Sequence, residues 1–236
     1  MVSLLKKIVK KVVGRKNYSL LLNTEIGTKF HDKYHENSLS SRDFLLQMLP
    51  KNSIGLEIGV DDGIFTERIL EIVRPKKLHL VDPWKFTNDD SYIDSPYGKG
   101  SVSSQTEMDT KYEKVLKKFS KEISENIVVT HRGYSEKVLP NFENDYFDWV
   151  YIDGDHHYEF VKSDLKLCYE KVKHDHFITG DDYRTYDKST LDLSNYNEPD
   201  DDVHEEGVKR ALEESIKLRK LKVIKITRHQ FITKKL

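Results

Sequence analysis

The stretch FDWVYIDGDHHYEFVKSDLKLCYEKVKHDHFITGDDY, residues 147–183, decides the fold. Asp148 to Ile152 is a short run of strand formers that stops at Asp153-Gly154-Asp155-His156-His157. Tyr158, Val161, Leu165, Cys168 and Val172 then recur at spacings of three and four, which predicts a helix with one apolar face. His176 to Thr179 predicts a second strand, running through Gly180 into Asp181-Asp182. A strand–helix–strand unit of this length is a parallel crossover. Both polar clusters therefore arrive at one carboxyl edge of a sheet, where open α/β sheets bind ligands.

Working towards the N-terminus, Ser53 to Ile58 predicts the first strand and Ile64 to Val73 the first core helix. Between them lies Glu57-Ile58-Gly59-Val60-Asp61-Asp62-Gly63, a glycine turn of the kind that lets backbone approach a ligand at a helix N-terminus. Gly59 and Gly63 do not make the G-x-G-x-x-G spacing, which disfavours a dinucleotide and with it a nicotinamide dehydrogenase. Leu78 to Val81 predicts the second strand, ending in Asp82-Pro83-Trp84. Asp82 stands where an acid accepts the two hydroxyls of a ribose, or else serves a turn. Trp84 either lines an adenine pocket or packs. Residues 85–106 form a long polar loop, the length class of lids and mobile segments. A helix over 107–123 and a strand over 127–130 follow. The strand leads into His131-Arg132-Gly133-Tyr134-Ser135, and a short helical turn over 136–139 precedes Pro140.

Towards the C-terminus, residues 181–206 hold ten acids against Arg184 and Lys188, and predict a flexible rim. A helix over 205–218 precedes two strands, 221–227 and 230–233, close enough to form an antiparallel hairpin at Arg228-His229. At the other end, residues 2–13 alternate Leu4, Leu5, Ile8, Val9, Val12 and Val13 with four lysines, a basic amphipathic helix. It either packs on the domain or a twin subunit, or lies in the plane of an anionic membrane surface. The division expected is residues 1–40 as this helix and a linker, and 41–236 as one α/β domain.

Length and composition are those of a globular chain: 236 residues, 37% hydrophobic and 33% charged. No apolar run reaches the roughly 18 residues of a membrane span. A single cysteine excludes an internal disulfide, and with no cleavable signal evident the expected compartment is the cytoplasm, with peripheral contact at the inner membrane surface. Cys168 falls on the apolar helix face and reads as core. The net charge is −1, yet six bases from Lys6 to Lys16 precede the first acid, Glu25. The rest of the chain is thus seven charges to the acidic side, which argues against nucleic acid as a partner.

The motifs LEIGVDDG (56–63), LHLVDPW (78–84), DWVYIDGDHHYEFVKSDL (148–165) and ITGDDY (178–183), in this order, resemble the class I S-adenosylmethionine-dependent methyltransferases. The nearer likeness is to the branch of macrocin-type sugar O-methyltransferases and cephalosporin-hydroxylase-like proteins. The resemblance implies a Rossmann-like α/β fold: a seven-stranded, mostly parallel sheet whose last strand inserts antiparallel, with helices on both faces. It implies S-adenosylmethionine over the glycine turn, with Glu57 and Gly59 at its methionine end and Gly63 among the cofactor-binding residues. Asp82 would hold the ribose and Gly133 and Ser135 would border the adenine; Trp84 stays a candidate for the donor pocket, and Asp153 is expected at both donor and metal. By likeness to metal-dependent catechol-type O-methyltransferases, Asp153, Asp181 and Asp182 are the metal positions and His156 is the catalytic base. Two departures stand out. Asp181 replaces a histidine common in relatives, and Lys173-His174-Asp175-His176 replaces a Gly-Gly turn.

The chemistry is coherent with those positions. Three converging carboxylates repel one another and are costly to desolvate, a penalty that a hard divalent cation removes. Oxygen ligands suit Mg²⁺ (the expected ion), Ca²⁺ or Mn²⁺. Methyl transfer is an in-line displacement at a sulfonium, so the protein must align the acceptor and take its proton. His156 is the expected base and His157 its rival. The expected function is methylation of a hydroxyl on a sugar, glycan or natural product, in a chain that forms a homo-oligomer. The alternative is a non-methylating domain that keeps the fold and binds a metal or nucleotide.

Overall fold

The computed structural model describes residues 42–92, 95–183, 199–219, 221–227 and 229–236. The amphipathic helix expected over 2–13 and most of the acidic rim lie outside them. The chain divides into two compact units, residues 45–83 with 115–236, and residues 1–44 with 84–114.

The larger unit is built on one sheet of seven strands: β1 (Ile54–Ile58), β2 (Lys77–Asp82), β3 (Val128–Arg132), β4 (Phe147–Ile152), β5 (Val172–Gly180), β6 (Leu221–Ile226) and β7 (Phe231–Lys235). Their order is β3-β2-β1-β4-β5-β7-β6. The first five are parallel, and β7 runs antiparallel between β5 and β6. This is the mixed Rossmann-like sheet that the resemblance implied. The order of the chain reverses between β1 and β4, so the loops after these two strands flank the switch point where α/β sheets take ligands.

The central strands are buried along nearly their whole length, as expected of parallel strands covered on both faces. Trp149 fixes the contact between β1 and β4: its ring lies where a Cβ on Gly55 would stand, and its Nε1 donates to Ser53 Oγ at 2.8 Å. The helices in chain order are α1 (residues 42–48), α2 (Ile64–Ile72), α3 (Gln105–Lys118), α4 (Ser120–Ser124), α5 (Ser135–Val138), α6 (Tyr158–Lys171) and α7 (Pro199–Arg219). The face of α6 that the spacing predicted is the buried one, through Val161, Leu165 and Cys168. Burial pushes the Cys168 thiol well above its ordinary pKa, so it is a neutral core residue.

Three expectations are corrected. The helix over 107–123 is broken at Phe119, whose backbone leaves helical geometry (φ −102°, ψ 22°) as its ring turns inward against Gly63. The last helix begins at Pro199, not 205; proline is preorganised for a first helical position. The strand expected at 176–179 starts at Val172, and Lys173 to His176 belong to an irregularity in it, with Asp175 at φ 58°. Asp148 anchors that irregularity by accepting from Ile54 N at 2.6 Å and Lys173 Nζ at 2.7 Å.

Near β2 and β3 a closed aromatic cluster forms from His79, His131, Phe142, Tyr146 and Phe147. His79 Nδ1 lies 2.9 Å from His131 Nε2. Burial, helped by the charges of His131 and Lys77, lowers the His79 pKa to about 4, so the ring packs as a neutral group at physiological pH.

The smaller unit holds the loop expected over 85–106. It is internally bonded: Thr87 N donates to Tyr97 O, and Ser101 N to Gly98 O. Gln105 clasps its start, donating to Trp84 O at 2.9 Å and accepting from Phe86 N at 3.0 Å. No helix among the described residues is long and apolar enough to cross a membrane.

Candidate active site

The carboxyl ends of the strands are stitched together by backbone. Gly59 N donates to Val81 O (3.0 Å), Gly133 N to Asp82 O (3.0 Å), Asp153 N to Ile58 O (2.8 Å) and Asp181 N to Ile152 O (3.1 Å). Each link binds the loop after one strand to the tip of its neighbour. The glycine turn is the tightest of these joints. Gly59 adopts φ 86°, and a Cβ there would lie 2.0 Å from the Asp153 carbonyl oxygen. The glycine is thus required by the next loop of the protein itself. Gly63, at φ 74°, faces the Phe119 ring in the same way.

Two buried acids hold the turn. Asp82 Oδ2 accepts from Val60 N at 2.8 Å and Asp61 N at 3.0 Å. Glu57 Oε2 accepts from Thr66 Oγ1 at 2.7 Å, tying β1 to α2. Thr66 was not singled out in the sequence; it reads there as one more helix residue. Trp84 belongs to the smaller unit, where its ring lies 4.7 Å from Tyr112.

Across the joint from Gly59 lies a polar cluster. Asp153, His156 and Asp182 each present a ligand atom, and these atoms all lie within 4.8 Å of one another. His156 Nε2 is 3.0 Å from Asp182 Oδ2 and 3.9 Å from Asp153 Oδ1. The next residue behaves differently: His157 Nδ1 pairs with Asp155 Oδ1, which also accepts from the His157 backbone N–H at 2.9 Å. The structure therefore brings together two of the three expected metal positions, with His156. Asp181 is not one of this group. It is buried and accepts from Gln230 Nε2 at 2.8 Å. Asp182, at φ 55°, turns the chain so that the neighbouring acids point to different partners. Gln230 stands just before β7, 49 residues on, and nothing in the sequence marked it.

Gly207 is the second residue missed. It lies in α7, and a Cβ there would come 2.2 Å from His156 O and 2.9 Å from Tyr158 N. A glycine inside a helical pattern costs about 1 kcal/mol against alanine, which is a signal for close packing. On the other side of the loop, Ser135 Oγ donates to Asp164 Oδ1 at 2.5 Å. Asp164 is a buried acid on α6, and its Oδ2 is near Gly154. Burial, opposed by the Ser135 hydrogen bond and aided by the charges of Asp155 and Glu136, raises its pKa to about 7.

That shift has a testable sign. The folded state keeps a proton that the unfolded chain releases near pH 4, so the contribution of Asp164 to stability is fully present below pH 4 and is lost as the pH rises to about 7. Asp164→Asn keeps an acceptor for Ser135 and removes the charge. The gap in stability between variant and wild type is expected to widen in favour of the variant by about 2–3 kcal/mol from pH 5 to pH 8. Urea unfolding at the two pH values measures it; a gap independent of pH would show that Asp164 ionises as freely folded as unfolded.

With this geometry in place, comparison with known proteins is informative. Residues 56–183 match the family model described as a methyltransferase domain. The chain belongs to that family. A comparison with curated proteins gives no significant match. Among solved structures, the methyltransferase resembles a Staphylococcus aureus protein assigned as a caffeoyl-CoA O-methyltransferase. The TM-score is 0.56 at 16% identity, covering 99% of this chain and 100% of that one. It also resembles a Corynebacterium glutamicum protein (TM-score 0.56, 13% identity, 85% of this chain and 81% of that one). A third is a Streptococcus mutans protein assigned as a methyltransferase, solved in complex with SAH (TM-score 0.50, 13% identity, 83% and 96%). At these identities the likeness is one of fold, and it agrees with the strand order of the methyltransferase.

Proposed function

We propose that this enzyme transfers a methyl group from S-adenosylmethionine to a hydroxyl of a sugar, glycan or natural-product acceptor, with help from a divalent cation. The observation that carries the proposal is the shared backbone joint between Gly59 and Asp153, which sets the glycine turn directly beside the Asp153–His156–Asp182 cluster. A donor loop and an acceptor-activating cluster must be neighbours for in-line transfer. The S. mutans neighbour in complex with SAH and the S. aureus neighbour assigned as an O-methyltransferase support the same reading. The macrocin-type motifs quoted above favour a sugar hydroxyl.

In this reading Glu57 and Gly59 line the methionine end of the donor, with Gly63 in the same turn, Asp82 faces its ribose, and Gly133 and Ser135 border its adenine. S-adenosylmethionine supplies an electrophilic methyl group when bound. The two carboxylates Asp153 and Asp182 fit a divalent cation, which when bound lowers the pKa of an acceptor hydroxyl. The chain's own work is to hold the acceptor oxygen in line and to take its proton on a histidine, His156 or His157. Asp155 orients the latter through Nδ1.

Calorimetric titration with S-adenosylmethionine, followed by transfer assays on hydroxylated sugars with and without EDTA, tests the proposal. Saturable donor binding and EDTA-sensitive methylation are expected. No donor binding would refute the methyltransferase reading, and full activity after exhaustive chelation would refute the cation.

A further inference from the structure

We infer that His156 is a ligand of the cation, so that the site selects a manganese-class transition metal over Mg²⁺. The inference rests on the cation-assisted reading above and sharpens it at one residue.

Three observations lead to it. Asp181, expected as the third ligand, is buried, accepts from Gln230 Nε2 through Oδ1, and lies outside the Asp153–His156–Asp182 group. His156 directs Nε2, its outer ring nitrogen, towards both remaining carboxylates. Around an octahedral ion with bonds of about 2.1 Å, adjacent donors lie about 3.0 Å apart and opposite ones about 4.2 Å. The 3.0 Å separation of His156 Nε2 from Asp182 Oδ2 is that of adjacent donors, and the 3.9 Å separation from Asp153 Oδ1 is about 0.3 Å short of that for opposite ones. The backbone that carries the ring is closely packed: the His156 carbonyl lies against Gly207 of α7, where even a methyl group has no room.

The identity of the donors then sets the metal. Mg²⁺ prefers oxygen ligands and gives up water reluctantly, whereas an imidazole nitrogen suits Mn²⁺, Fe²⁺ or Co²⁺. Exchanging one carboxylate for one neutral nitrogen also leaves two negative charges, matching a divalent ion. With His156 engaged, proton removal passes to His157, already oriented by Asp155.

The test uses Mn²⁺ alone, without donor or acceptor. Electron spin-echo spectroscopy of the Mn²⁺-loaded protein is expected to show coupling to a histidine nitrogen. The coupling should vanish in His156→Ala and persist in His157→Ala. Titration should show Mn²⁺ affinity falling at least tenfold in His156→Ala only, with Mg²⁺ displacing Mn²⁺ poorly from the wild type. Mn²⁺ bound without nitrogen coupling in the wild type, or coupling that survives His156→Ala, overturns the inference while leaving the cation in place. Failure of the wild type to bind Mn²⁺ at all overturns the inference and removes the cation from the proposed function, with donor binding as the independent check on the methyltransferase itself.

Discussion

The Asp182→Ala enzyme is expected to lose about 10³-fold in methyl transfer while binding S-adenosylmethionine as tightly as the wild type. Asp182 contributes in two ways. It is one of two carboxylates in the cluster, and it is the nearest acid to His156 Nε2. Its removal leaves His156 and Asp153 3.9 Å apart, with no third donor at Asp182's position. The glycine turn is untouched, because Asp82, Val60 and Asp61 hold it from β2. The comparison to make is single-turnover rate against donor affinity, both at saturating cation. Turnover within tenfold of wild type would mean that the cluster does not serve the reaction.

Replacing Gly59 by alanine should damage both halves of the site together. The new methyl group would stand 2.0 Å from a backbone oxygen, and φ 86° is itself unfavourable for a residue with a Cβ. Overpacking against backbone and left-handed strain together cost about 3 kcal/mol, or roughly 10 °C in melting temperature for a chain of this size. Because the obstructing atom belongs to Asp153, relief of the clash displaces an acid of the cluster. Loss of donor binding and loss of cation binding are therefore expected in the same variant. Gly63→Ala is the control: its obstruction is a Phe119 side chain, which can move. Thermal melts and the two titrations measure the effect, and a Gly59→Ala protein as stable as Gly63→Ala would contradict the packing described.

The sheet was legible in the sequence because parallel strands that end in polar loops leave a strong local signature. Asp148 to Ile152 and Leu78 to Val81 carry it within single runs of apolar residues. The motif order then supplied the antiparallel insertion that local patterns alone do not show. The site was legible as a set of residues and less so as a set of contacts. Asp181 and Asp182 are adjacent and chemically identical, so their separate fates depend on Gln230, brought in by β7 from 49 residues away. Asp164 lies on the buried side of α6, where a sequence pattern expects an apolar residue, and only the Ser135 contact explains it. The helix break at Phe119 left no local mark, and the contact its ring makes there is with Gly63, in another element. In each instance the missing information is long-range packing.

Gly207 gives α7 a part in the proposed site that its distance along the chain conceals. Where two stretches of main chain meet with no side chain between them, neither slides without carrying the other. Helix α7 is in this sense a splint for the His156–Tyr158 loop. A bulky substitution on this helix at position 207 would be recorded in an assay as a catalytic defect, although the native residue has no side chain to take part in a reaction. Genetic screens that score such positions as functional would be reporting mechanical support.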